Sequence, residues 1–151
     1  MFPADLGLWD LGFSNVDPGT RRSSHRRRDK NNMKYMLLIY DDEKIWATMP
    51  EAERQKMFGE YMQFSKDVQE SGHYKAGAPL QPTSKATSVK VRNGKRLVTD
   101  GPFAETREQL GGYYLVEAKD LDEAIGIAAR IPSVRMGTIE VRPVMEIPAS
   151  M

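Results

Sequence analysis

Along the first half of the chain, hydrophobic residues first form one continuous run and then recur at helical spacing. A continuous apolar run at residues 35–40 has the length of a buried strand. A helix is predicted next, from apolar residues at helical spacing: Met57, Tyr61, Phe64 and Val68. Thr48 and Glu51 have the spacing of a capping box at its start, and Gly72 is expected to end it.

The second half of the chain predicts several strands and one more helix. Asn93-Gly94 lies between strand-like segments 87–91 and 95–99 and is a strong hairpin signal. Asp120 is expected to cap a helix that ends before Pro132. One face of this helix is predicted to carry Leu121, Ala124, Ile125, Ala128 and Ile131. The remaining predicted strands are residues 73–80, 112–117 and 138–145.

The predicted element order is β-α-β-β-β-β-α-β, which indicates an α+β fold. Each half contains a strand, a helix and a returning strand, as in a ferredoxin-like split βαβ sandwich. Both helices then cover one face of the sheet. The other face carries apolar residues from segments 35–40, 113–116 and 139–141 and needs another cover. A homodimer that packs sheet against sheet would supply it.

Composition narrows the class of protein. The chain has 151 residues, no Cys, 28% charged residues and a net charge of +1. This is the length of one domain, and without Cys it has neither disulfides nor thiol nucleophiles. No apolar run approaches the roughly 18 residues of a membrane span, so a cytoplasmic protein is expected. Residues 33–151 carry a net charge of −1, so no direct nucleic-acid binding is expected from this domain.

Residues 1–32 differ in composition from the rest of the chain. They carry six basic and four acidic residues, with a basic run at 21–30. Such a run is typical of a solvated disordered extension, and the alternative is binding to an acidic partner or nucleic acid. We predict a disordered N-terminal extension at 1–32 and one domain at 33–151. Because Met33 opens the domain, an early assigned start codon is one explanation of the extension.

Residues 99–112 form a long connection between two predicted strands and are a candidate functional loop. Asp100-Gly101-Pro102 predicts a tight turn, and Gly111-Gly112 predicts close approach to another backbone. A long β–β connection is the simpler interpretation, but loops of this length are often functional. We expect Asp100 to be buried or half-buried and to face a cleft, with Phe103 anchored in the core.

The candidate site residues each have two interpretations. His73 is the one imidazole of the domain, and it is either a capping residue or a general base. The loop carboxylates Asp100, Glu105 and Glu108 could act as acid and base or bind a hard cation. Otherwise Asp100 bonds turn amides, and the two glutamates are solvated or cap a short helical turn. Arg142 lines a polar cleft with Glu140 or pairs across strands. The candidate ligand-binding set is Asp100, His73, Glu105, Tyr113 and Arg142.

Common catalytic and metal-binding motifs are missing from the sequence. It contains no HExxH, GxSxG, P-loop or GxGxxG pattern. Neither a metal nor a cofactor is therefore predicted.

Several segments resemble the signature of the YCII-related (DGPF-domain) family. They are DGPFAET at 100–106, EQLGGYY at 108–114, KYMLLIY at 34–40 and GTIEVRPVM at 137–145. The resemblance runs from about Met33 to Ile147 and implies a dimeric α+β barrel. The wider superfamily includes enzymes similar to lyases or dehydrochlorinases that pair a His on the first helix with an Asp. Residues 51–71 contain no His, so that chemistry is not carried over.

Two functions follow from these observations. The first is a small-molecule-binding protein or minor enzyme with a cleft at the DGPF loop. The alternative is a non-catalytic accessory or regulatory module, since the resemblance associates the family with extracytoplasmic-function sigma factors. An enclosed cleft that holds Asp100 favours the first function, and an exposed apolar patch favours the second.

Overall fold

The computed structural model describes residues 31–149, which form an α+β fold around a four-stranded antiparallel sheet. The strands are β1 (Met33–Asp41), β2 (Tyr74–Pro79), β3 (Thr87–Arg92), β4 (Lys95–Asp100), β5 (Gln109–Ala118) and β6 (Thr138–Pro143). The helices are α1 (Glu43–Thr48), α2 (Glu51–Glu70) and α3 (Leu121–Ala128). The main sheet has the order β2-β5-β1-β6, which confirms the ferredoxin-like prediction. The predicted disordered extension lies, up to residue 30, outside the described residues.

Strand β1 lies between β5 and β6, and its side chains alternate between the two faces of the sheet. Tyr35, Leu37 and Ile39 are buried against the helices, while Met36 and Leu38 on the opposite face are half-buried. Leu37 pairs with Tyr114 of β5 on one side and with Val141 of β6 on the other. The apolar run thus contributes to both faces of the sheet, because successive side chains point in opposite directions.

Helix α2 packs on the sheet through the predicted apolar stripe. Its buried residues are Met57, Tyr61, Phe64 and Val68, which confirms the helical spacing read from the sequence. Phe64 meets Tyr114 of β5 edge to face, with ring centroids 5.1 Å apart. Gly72 has a φ of 80° just after the helix, where a residue with a Cβ would be strained.

The predicted capping box at the start of α2 was wrong. The cap position is Pro50, and it makes no side-chain hydrogen bond. Thr48 instead donates its hydroxyl to the carbonyl oxygen of Lys44 at 2.8 Å, within the short helix α1 that precedes α2. Helix α1 has only six residues, too few for a helical period to stand out in the sequence.

Helix α3 begins where predicted, and its predicted inward face is confirmed only in part. Asp120 caps it by accepting a hydrogen bond from the Glu123 amide at 2.9 Å. Leu121 and Ile125, which were predicted to face the core, are each 48% exposed. The buried positions are Ala124, Ile127, Ala128 and, beyond the helix, Ile131. The helix ends at Ala128, so Ile131 enters the core from the following turn.

Strands β3 and β4 form a separate two-stranded hairpin, which we call the arm. Asn93 and Gly94 both have positive φ, as the predicted two-residue hairpin turn requires. One face of the arm carries Val89, Val91 and Val98, each about three-fifths exposed. At the base of the arm, Glu43 accepts two 2.8 Å hydrogen bonds from Thr83, one from its amide and one from its hydroxyl. The arm is therefore attached at its base while its apolar face is uncovered in a single chain.

Candidate functional site on the open face of the sheet

We call the face of the main sheet that points away from the helices the open face. Its central row consists of Ala78 on β2, Tyr113 on β5, Leu38 on β1 and Glu140 on β6, which the strand register places side by side. The neighbouring row contains Ala76, Leu115, Met36 and Arg142. The centre of the open face is thus apolar, and its β6 edge is polar.

A polar cluster of Tyr40, Glu140 and Arg142 forms that edge. Arg142 donates from Nη2 to Oε1 of Glu140 at 2.8 Å. This hydrogen bond and the charge of Glu140 raise the pKa of Arg142, and Tyr40 adds to the effect. The other carboxylate oxygen of Glu140, Oε2, is buried, and no donor among residues 31–149 reaches it. The cluster therefore combines a permanent cation with an unused acceptor.

A buried polar network on the helix side supports this edge of the sheet. Asp41, only 3% exposed, accepts hydrogen bonds at Oδ2 from Trp46 Nε1 (2.8 Å) and from Ser133 Oγ (3.3 Å). The Tyr61 hydroxyl donates to Ser133 Oγ at 2.6 Å. Burial raises the pKa of Tyr61, so its hydroxyl keeps the proton that it donates. The network attaches α1, α2 and the turn after α3 to the end of β1, next to Tyr40.

Gly111 lies in close contact with this network. A Cβ at position 111 would lie 3.2 Å from Oδ1 of Asp41, tighter than ordinary van der Waals contact. A Cβ at Gly112 would lie 3.0 Å from the carbonyl oxygen of Ala78 on β2. The glycine pair therefore allows the close backbone approach predicted from the sequence.

The DGPF loop does not have the predicted buried arrangement. Asp100 is exposed at the end of β4, opposite Thr87, so the expectation that it is buried was wrong. Phe103 is 86% exposed and does not anchor the loop in the core. Glu105 is also exposed. The reason is that this turn continues from the arm, which lies outside the main sheet. Gly101 does have the positive φ, 99°, expected of a turn glycine.

His73 lies in a different part of the molecule from the DGPF loop. Its ring bonds Ser71 Oγ at 2.7 Å and Glu123 Oε1 at 2.9 Å, so it joins the end of α2 to α3. Its carbonyl oxygen accepts from the amide of Glu117, near the end of β5, whereas the loop enters β5 at Gln109. Eight strand residues separate these points, a distance of about 26 Å. One chain therefore cannot place His73 and the loop in a single cleft.

The structure brings two of the five candidate residues, Tyr113 and Arg142, onto one face. Tyr113 pairs with Leu38, and Arg142 pairs with Met36 on the other side of the same strand. Sequence reasoning missed the role of Asp41, which directly follows the apolar run at residues 35–40. The sequence contained a signal for this role. Asp41 follows Tyr35, Leu37 and Ile39 at a spacing of two, so its side chain lies on the same inward face of β1. Trp46, its main donor, lies on the helix that was not predicted.

Two further properties concern the described part of the chain. Across residues 31–149, no three His, Cys, Asp or Glu side chains are grouped closely enough to hold a metal ion. None of the helices in the same range is both long and apolar enough to cross a membrane.

Comparison with known proteins identifies the family. The family model for the YCII-related domain matches residues 33–148, which include the whole main sheet, the arm and all three helices. The chain belongs to the YCII-related domain family. A relative in this comparison is an uncharacterized protein of Rhizobium meliloti, 34% identical over 113 residues. The match covers 74% of this chain and 91% of the relative.

Proposed function

We propose that this YCII-related protein is a homodimer in which two open faces enclose a small-molecule binding site. The observation that carries the proposal is the apolar centre of the open face. Met36, Leu38, Tyr113 and Leu115 lie there, and no helix of the described chain covers them. Removing such a surface from water is favourable, and a second copy offers an equally apolar face.

The charges around the apolar centre are compatible with this arrangement. Lys75 and Glu117 form an ion pair at 2.7 Å near one end of the open face. Glu140 and Arg142 form another at the β6 edge. Both signs are present on one face, so two copies related by a twofold axis can place opposite charges together. A mostly apolar cleft with a few polar groups is also the usual make-up of a small-molecule site.

The arm has a place in the same proposal. The register of the hairpin puts Asp100 on the same face as Val89, Val91 and Val98. We place this face against the second copy, where its valines become buried. Asp100 and the nearby Glu105 then lie at the rim of the cleft, which has Tyr113 at its apolar centre and Arg142 at its β6 edge. His73 is not included, because of its separation from the loop.

The first experiment measures the oligomeric state. Light scattering at micromolar concentration should give twice the mass of one chain. Leu115→Glu places a charge in the middle of the open face and should give a monomer that keeps its circular dichroism spectrum. Leu121→Glu, at a 48% exposed position on α3, is the matched control and should remain a dimer. A monomeric wild-type protein would defeat the proposal.

The second experiment addresses binding. A ligand that binds only the folded dimer raises its melting temperature, so a thermal-shift screen of small molecules should yield stabilising compounds. These compounds should stabilise the wild-type protein and the Leu121→Glu control but not the Leu115→Glu variant. Stabilisation of all three proteins would place the site away from the open face.

A second candidate function is a non-catalytic accessory module that binds another protein, and the exposed valines of the arm favour it. Val98→Lys separates the two functions. If the arm covers the second copy, this variant weakens the dimer. If the arm binds a different protein, the dimer is unchanged. A sigma-factor partner stays an expectation from the family resemblance, and a cytoplasmic location stays a prediction from the sequence.

A further inference from the structure

Glu140 presents an acceptor that the described chain does not use. Its Oε1 accepts from Arg142, while its Oε2 is buried and receives no hydrogen bond from residues 31–149. Buried polar atoms in folded proteins are nearly always paired, so an exception calls for a physical explanation. The side chain as a whole is 40% exposed, so it lies at the surface of the open face while Oε2 itself is covered.

The surroundings of Glu140 have the form of a ligand site. Leu38 lies directly opposite on β1, and Tyr113 lies beyond it on β5. Tyr40 and Arg142 belong to the same polar edge. An apolar body resting on Leu38 and Tyr113 would therefore have its polar end beside Glu140.

We propose that Glu140 is the ligand-binding acceptor of the open face and that the ligand is a neutral small molecule with a hydroxyl group on an apolar body. The inference rests on the proposed small-molecule function and adds both a residue and a ligand class. The terminal torsion of a glutamate is broad, so a small rotation turns Oε2 toward a bound molecule.

The charges beside Glu140 select a neutral hydroxyl. An ammonium group would be attracted by Glu140 but repelled by the guanidinium of Arg142, so the net-neutral pair offsets little of its loss of hydration. A carboxylate ligand would be repelled by Glu140 in the same way. A hydroxyl donates its proton to Oε2, and its oxygen accepts from the remaining N–H groups of Arg142. One hydroxyl thus satisfies both members of the pair.

Four small probes that share a phenyl ring test this class: benzyl alcohol, toluene, benzylamine and benzoate. Binding is followed by amide chemical shifts of the full-length protein in its native assembly, at millimolar probe concentrations suited to such small ligands. Benzyl alcohol should shift amides of β1, β5 and β6. It should bind about tenfold more tightly than toluene, the gain expected of one hydrogen bond to a charged acceptor. Benzylamine and benzoate should bind more weakly than benzyl alcohol.

Glu140→Gln tests the residue itself, because it keeps the shape and removes the charge. The preference for benzyl alcohol over toluene should fall about tenfold in this variant. Glu53→Gln is the matched control, since it alters an exposed carboxylate on α2, on the helix side of the sheet. It should leave the preference unchanged.

Three results would overturn the inference: no response to benzyl alcohol, equal binding of benzyl alcohol and toluene, or an unchanged preference in Glu140→Gln. Light scattering of the same samples separates this failure from that of the proposed dimer. A dimer without the preference contradicts the role of Glu140 alone. A monomer with the preference contradicts the dimer but supports Glu140.

Discussion

The need to pair buried polar atoms explains the contacts of several single residues in this protein. Asp41 lies in the inward-facing phase of β1, where an unpaired carboxylate would be costly. Trp46 and Ser133 supply its donors, although Ser133 is 92 residues away in the chain. The network therefore depends on the tertiary structure, and only the inward position of Asp41 can be read from the local sequence. Glu140 differs, because one of its oxygens is buried without such a donor.

We predict that Asp41→Asn destabilises the protein by about 1–3 kcal/mol, because an amide nitrogen in place of one oxygen leaves a donor or acceptor unpaired. Urea unfolding of the variant and the wild-type protein measures the change. Glu146→Gln makes the same chemical replacement at an exposed position after β6 and should stay within about 0.5 kcal/mol. Equal effects of the two variants would show that the network adds nothing to stability.

At the scale of elements, long periodic segments and short ones behave differently. Helix α2 has 20 residues, and its buried stripe is the one predicted. Helix α3 has eight, and two of the residues expected to face the core are half exposed. In a short helix, one turn more or less changes which apolar residues face inward. Tertiary packing then decides which of several apolar residues at similar helical spacing are buried.

We predict that Ile127→Ala destabilises the protein by about 2–4 kcal/mol, since it leaves a cavity under α3. Ile125→Ala removes the same atoms from a position that is 48% exposed and should lose less than about 1 kcal/mol. Thermal and urea unfolding of both variants measure the difference. A larger loss at Ile125 would mean that α3 packs with the face predicted from the sequence.

The whole molecule is organised around a sheet that has one covered face and one open face. The helices cover only the side with Tyr35, Leu37 and Ile39. The open face and the arm both carry apolar residues that a single chain leaves uncovered. A homodimer explains both features with one interface, which is why we prefer it to two separate binding surfaces.

We predict that deletion of residues 1–32 changes the melting temperature by only a few degrees. The segment is rich in charge and has few apolar residues, and the family match begins at residue 33. Differential scanning calorimetry measures the shift, with Ile127→Ala as a control that should lower the melting temperature clearly. A drop of more than about 5 °C on deletion would show that the segment packs on the domain.

The sequence by itself determined the fold class, the inward stripe of α2, the Asn93-Gly94 turn and the membership of the family. These features follow from local periodicity, from turn chemistry and from a continuous signature, none of which depends on distant contacts.

Only the tertiary structure decided which candidates meet. It showed that the arm carries Asp100 outside the main sheet, and that His73 lies about 26 Å along β5 from the loop. It also showed the pairing of Asp41 with Ser133 and the unused oxygen of Glu140. These facts depend on strand register and on contacts between residues far apart in the chain. Periodicity along the sequence carries no information about either, because it describes one element at a time.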